Sequence, residues 1–64
     1  MVQVNGNEFE AAGRTVESVI QELEYDIRTI AIELNEEIVP KTTLAQVILK
    51  DGDVLEVVSF VGGG

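Results

Sequence analysis

A single stripe of helical spacing, Val16, Val19, Ile20 and Leu23, is set in this chain among runs whose apolar residues alternate instead. Apolar residues at i, i+3, i+4 and i+7 line one face of an α-helix, whereas alternation lines one face of a strand. With one such helix, a chain of 64 residues buries both kinds of face by laying the helix on one sheet. A domain of this size hides only about 60% of the surface that its unfolded chain exposes, so the core is small and an internal catalytic cleft is not expected.

The order of the remaining segments follows from their turns. Val2-Gln3-Val4 alternates, Asn5-Gly6 is the dipeptide favoured in type I′ hairpin turns, and Glu8-Phe9-Glu10 alternates again, with Val2, Val4 and Phe9 toward one buried face. Residues 11–14 connect this hairpin to the helix, for which Thr15 is the expected N-cap and Glu17 a favourable first-turn acid. Glu22, Glu24 and Asp26 crowd the helix end, where each is expected to cost about a few tenths of a kcal/mol with no compensation visible in the sequence. Ile30, Ile32 and Leu34 mark a strand, Asn35-Glu36-Glu37 a turn, and Ile38-Val39 a short edge strand before Pro40. Residues 41–46 read as a helical turn or loop, and Val47-Ile48-Leu49 as a buried run. Lys50-Asp51-Gly52-Asp53 is a turn with Gly52 at positive φ, and the last strand begins at Val54.

In that strand Leu55 and Val57, with Val61 as a further candidate, face the helix, and Glu56, Val58 and Phe60 face outward. The helix makes the crossover, so the first and last strands can pair in parallel at the sheet centre. The expectation is an α+β fold of the β-grasp type: a single mixed sheet of four to five strands covered on one face by one helix. The domain is expected over residues 1–61, with residues 62–64 as a flexible glycine tail.

Gly62-Gly63-Gly64 follows the last strand directly. Glycine loses the most backbone freedom on ordering, so three in succession argue for a slim tail that can enter a narrow tunnel and present the Gly64 carboxylate to an enzyme. A frayed end or a linker is the alternative, although a linker ordinarily contains Ser. The chain has no Cys and no His, which removes thiol nucleophiles, imidazole bases and the usual zinc ligands. Acyl or sulfur chemistry on this chain therefore falls to Gly64.

The net charge of −8 disfavours nucleic acid and anionic membranes and favours a basic protein partner. No apolar run approaches the roughly 20 residues of a membrane span, and the expected compartment is the cytosol. Three extended glycines reach about 10 Å, so any docking surface must lie beside the tail. The outward residues Val58 and Phe60 are the nearest candidates, with Glu56 adding steering, because an exposed apolar patch marks protein interfaces. The alternative for Phe60 is a ring folded over the sheet edge as satellite core.

The opening strand with its Asn-Gly turn, Gly13-Arg14-Thr15-Val16, Ala31-Ile32-Glu33-Leu34-Asn35, Ile38-Val39-Pro40, Asp51-Gly52-Asp53 and the ending Phe60-Val61-Gly62-Gly63-Gly64 together resemble the thiamin-biosynthesis sulfur carrier (ThiS) family, which is ubiquitin-like. The resemblance covers essentially the whole chain. It implies a protein cosubstrate and not an enzyme. A partner similar to ubiquitin-activating enzymes would use ATP to adenylate Gly64, a sulfur donor protein would convert the acyl-adenylate to a thiocarboxylate, and thiazole synthase would receive the sulfur. The chain itself would bind no cofactor, since ATP is consumed by the partner. Three rivals stand beside this reading: a small subunit of molybdopterin synthase, a modifier conjugated to lysines, and a non-covalent β-grasp interaction module.

Overall fold

The α-helix α1 (Val16–Glu22) has 7 residues, too few to persist alone in water, where helices shorter than about 12–15 residues are marginal. Packing and caps hold it. The Thr15 hydroxyl accepts from the Ser18 N–H at 3.1 Å, as expected of an N-cap. At the other end the Tyr25 N–H donates to Ile20 O and the Glu24 N–H to Gln21 O, while Glu24 takes φ 63°. This pair of closing bonds ordinarily has glycine at the left-handed position. Val16, Val19 and Ile20 are buried, but the helix closes at Leu23, which is 36% exposed and does not extend the apolar stripe as expected.

The acids at this end also differ from the sequence expectation, since two of the three are compensated. Arg14 reaches along the helix to bond Ser18 and pairs with Glu22 at 2.6 Å. Asp26 accepts from the Arg28 N–H at 3.0 Å, opening a one-turn 3₁₀ helix (Ile27–Thr29), and pairs with the Arg28 guanidinium. Such exposed pairs contribute about 0–1 kcal/mol each, enough to offset the unfavourable dipole.

The computed structural model describes residues 1–60; Val61, Gly62, Gly63 and Gly64, and with them the expected boundary between domain and tail, lie outside the described residues. Within them the strands are β1 (Val2–Val4), β2 (Asn7–Phe9), β3 (Ile30–Leu34), β4 (Glu37–Ile38) and β5 (Val54–Ser59), in the order β2-β1-β5-β3-β4. β1 and β5 pair in parallel at the centre, and the other neighbours are antiparallel. Asn5 and Gly6 have φ of 50° and 85°, and Asn35 and Glu36 repeat that turn at 51° and 70° without glycine. β4 begins at Glu37, one residue earlier than expected, and Val39 leaves the strand to become buried.

Pro40 opens a second 3₁₀ turn (Lys41–Thr43), after which Leu44 drops into the core. The run 47–49 is not buried throughout. Its extended backbone must alternate, so Leu49 points inward while Ile48, bridged to Thr15, is 51% exposed.

The core joins Val2, Val4, Ile30, Ile32, Leu55 and Val57 of the sheet to Val16, Val19 and Ile20 of the helix. Each full burial of a Val, Leu or Ile is worth about 1.5–3 kcal/mol. β5 is held on both sides by turn asparagines. Asn5 N–H donates to Leu55 O, and where β1 has turned away the Asn5 side-chain oxygen accepts from the Val57 N–H at 2.8 Å. Opposite, Asn35 N–H donates to Val54 O, and its side-chain oxygen accepts from the Val54 N–H at 2.9 Å.

The Asn35 amide also donates to Asp53, whose second oxygen accepts from the Lys50 N–H. These two bonds, the Asn35 contact foremost, hold the buried Asp53 carboxyl below the usual carboxylate range. A lowered folded-state pKa means that the ionised form stabilises the fold above the unfolded value, near 4, and that this contribution is lost as pH falls through the folded value. Asp53→Asn should therefore destabilise the domain by about 1–3 kcal/mol at neutral pH, and the gap should narrow on acidification below about pH 4. Urea midpoints of both proteins between neutral pH and acid check this. Parallel curves would contradict it.

Candidate functional site

Because α1 covers one face of the sheet, the side chains alternating with Leu55 and Val57 on β5 are left on the other. Glu56, Val58 and Phe60 are all exposed there, Val58 at 56% and Phe60 at 61%. The three expected docking residues thus share one uncovered face. Phe60 is not satellite core: it stands out from the sheet, with the Lys41 ammonium 5.5 Å from its ring centroid. Such a contact is worth about 0.5–1 kcal/mol at an exposed site. The Phe60 N–H donates to Thr29 O, so the point at which the chain leaves the sheet is fixed.

Register adds residues that the sequence reading did not single out. Partners directly opposite one another share a face. Glu33 lies opposite Glu56, Ala31 opposite Val58, and Ile38 of β4 opposite Glu33. Val54, 38% exposed, and Ile38, 70% exposed, extend the apolar surface around the two carboxylates. The alternation within each strand was legible, but the lateral match of β3 and β4 to β5 was not.

A hollow of about 390 Å³ lined by Asn35, Glu36, Val54 and Glu56 lies at the foot of this face. A groove of about 300 Å³ among Val4, Asn5, Phe9, Leu23 and Tyr25 carries no carboxylate or amine. Among the described residues no group of three or more His, Cys, Asp or Glu side chains could hold a metal ion, and no helix is long and apolar enough to cross a membrane. Gly62, Gly63 and Gly64, expected to form the tail and the point of modification, lie outside the described residues.

A mixed sheet with a central parallel pair of first and last strands, one covering helix and an apolar open face defines the ubiquitin-like β-grasp class. The chain belongs to the ThiS family, whose model matches residues 2–64. It is 36% identical over 64 residues to the sulfur carrier protein ThiS of Thermus thermophilus, covering 100% of both chains. The crystal structure of the thiamine biosynthesis protein ThiS of Geobacter metallireducens superposes with a TM-score of 0.78 at 28% identity, over 98% of this chain and 97% of that one. A thiazole synthase of Paramagnetospirillum magneticum is 52% identical over 62 residues, 95% of this chain but 19% of that protein. A second thiazole synthase, of Magnetococcus marinus, is matched over 20% of its length, so the chain spans about a fifth of these relatives.

Proposed function

We propose that the chain is a sulfur carrier of thiamine biosynthesis and acts as a protein cosubstrate whose Gly64 carboxyl group is adenylated and then converted to a thiocarboxylate. The observation that carries this reading is the exposed Val58–Phe60 surface four residues from Gly64, in a chain without Cys or His. An oxygen of the Gly64 carboxylate attacks the α-phosphorus of ATP held by an activating enzyme similar to ubiquitin-activating enzymes, and pyrophosphate leaves. Sulfur at the sulfide level, supplied by a donor protein, attacks the acyl carbon, and AMP leaves to give the thiocarboxylate. The thiocarboxylate sulfur bonds to the substrate held by thiazole synthase, the partner suggested by the names of the relatives that contain a similar stretch, and water then cleaves the acyl C–S bond to return the Gly64 carboxylate.

Covalent activation splits one difficult transfer into easier steps. The four residues after Phe60 span at most about 14 Å, so an enzyme that grips the open face has the carboxyl group within reach. Glu56, Val58 and Phe60 are the docking residues in this reading.

The test is a reconstitution with ATP, the activating enzyme and a sulfur donor. Intact mass should rise by the difference between sulfur and oxygen, with fragmentation placing the change on Gly64. Because the chain has no Cys, a side-chain persulfide cannot produce the same signal. No gain under these conditions, or an isopeptide bond from Gly64 to lysines of cellular proteins, would overturn the assignment.

A further inference from the structure

We propose that Glu33 and Glu56 together receive one arginine side chain of the enzyme that activates the tail, inside a ring formed by Ile38, Val54 and Val58. This rests on the activation reading above and names what the partner must present. The two glutamates stand directly opposite each other on β3 and β5. Their pair has the same parity as Asn35–Val54 and Thr29–Phe60, which are joined by backbone bonds across the strands. Adjacent strands put such side chains about 5 Å apart, and like charges placed so destabilise a sheet. Among the described residues no cation forms an ion pair with either glutamate.

The ion pairs of Arg14 and Arg28 go to Glu22 and Asp26. Lys41 sits over Phe60. Glu33 is half-buried; Ile38 beside it, Ala31 and Val58 one row toward the tail and Val54 on the other side form an apolar ring, interrupted where Asn35 and Glu36 share a hollow with Val54 and Glu56. A partner covering this ring would dry the carboxylates, and a charge contact surrounded by water-excluding neighbours is the arrangement in which interface ion pairs contribute most. Two carboxylates on neighbouring strands suit a guanidinium, whose planar fork carries five donors, better than the compact ammonium of lysine.

The double variant Glu33→Gln, Glu56→Gln keeps side-chain size and removes the repulsion, so its melting temperature should equal or exceed that of the original chain. In ATP–pyrophosphate exchange catalysed by the activating enzyme, KM for the variant should rise at least about tenfold with kcat within about twofold, because the contact orients the carrier and takes no part in chemistry. The salt dependence of kcat/KM should flatten with it. Glu24→Gln, which removes one negative charge at the end of α1, the helix that covers the other face, is the control and should leave KM unchanged. A double variant with unaltered KM, or a control that raises KM equally, overturns the inference while leaving the activation reading intact. Absence of exchange with the unaltered chain would remove both.

Discussion

A single alanine added after Gly64 should abolish adenylation while leaving the melting temperature of the domain unchanged. The proposal places all reactivity on the Gly64 carboxylate, and an extra residue carries that group about 3.5 Å past the α-phosphorus of bound ATP. Misplacement of a reacting atom by about 1 Å can already cost a factor of the order of 100, so the expected loss in exchange rate exceeds this. If the Gly62-Gly63-Gly64 tail enters a narrow channel of the activating enzyme, the added methyl group would also be too wide for a passage suited to bare backbone. Removing Gly64 should have the same effect in the opposite direction, by leaving the carboxylate short of the site. Neither change touches the buried residues, so urea midpoints should coincide. Adenylation of the extended chain at an undiminished rate would show that another group, or none, is activated.

What was legible in the sequence is what depends on neighbours in the chain. Asn5-Gly6 specifies its turn because both residues accept positive φ, and Thr15 announces the helix because its hydroxyl reaches an amide only three residues away. The central parallel pair followed from the order of elements and one crossover helix. Features that depend on distant partners were hidden. Glu22 looked unfavourable because Arg14, 8 residues earlier, reaches it only once the helix has formed. Leu23 matched the apolar stripe, but the left-handed Glu24 ends the helix before a further turn could bury it.

Asn5 and Asn35 read as turn residues, whereas their side chains also supply β5 with acceptors from 52 and 19 residues away. The docking face was partly legible for the same reason. Glu56, Val58 and Phe60 lie on one strand and alternate, so their common face was predictable. Glu33 and Ile38 join them only through the register of three strands.

The two faces of β5 should answer differently to substitution, and the contrast is large. Leu55 is 0% exposed and lies at the centre of the sheet beneath α1. Leu55→Ala should cost about 2–5 kcal/mol through lost burial and the cavity left behind. A domain of this length has about 3–10 kcal/mol in total, so a large share of the molecules should be unfolded at moderate temperature. Phe60, 61% exposed on the opposite face, contributes little to the core. Phe60→Asp should lower the melting temperature by no more than loss of the Lys41 contact implies, about 0.5–1 kcal/mol.

Its effect belongs to the complex instead. A carboxylate at the root of the tail, buried against a partner and without a counter-ion, should weaken binding to the activating enzyme by more than about tenfold. Circular dichroism melts read beside titration calorimetry separate the two roles. If Phe60→Asp unfolds the domain as Leu55→Ala does, the ring belongs to the core. If both stability and binding survive, docking runs through some other part of the chain.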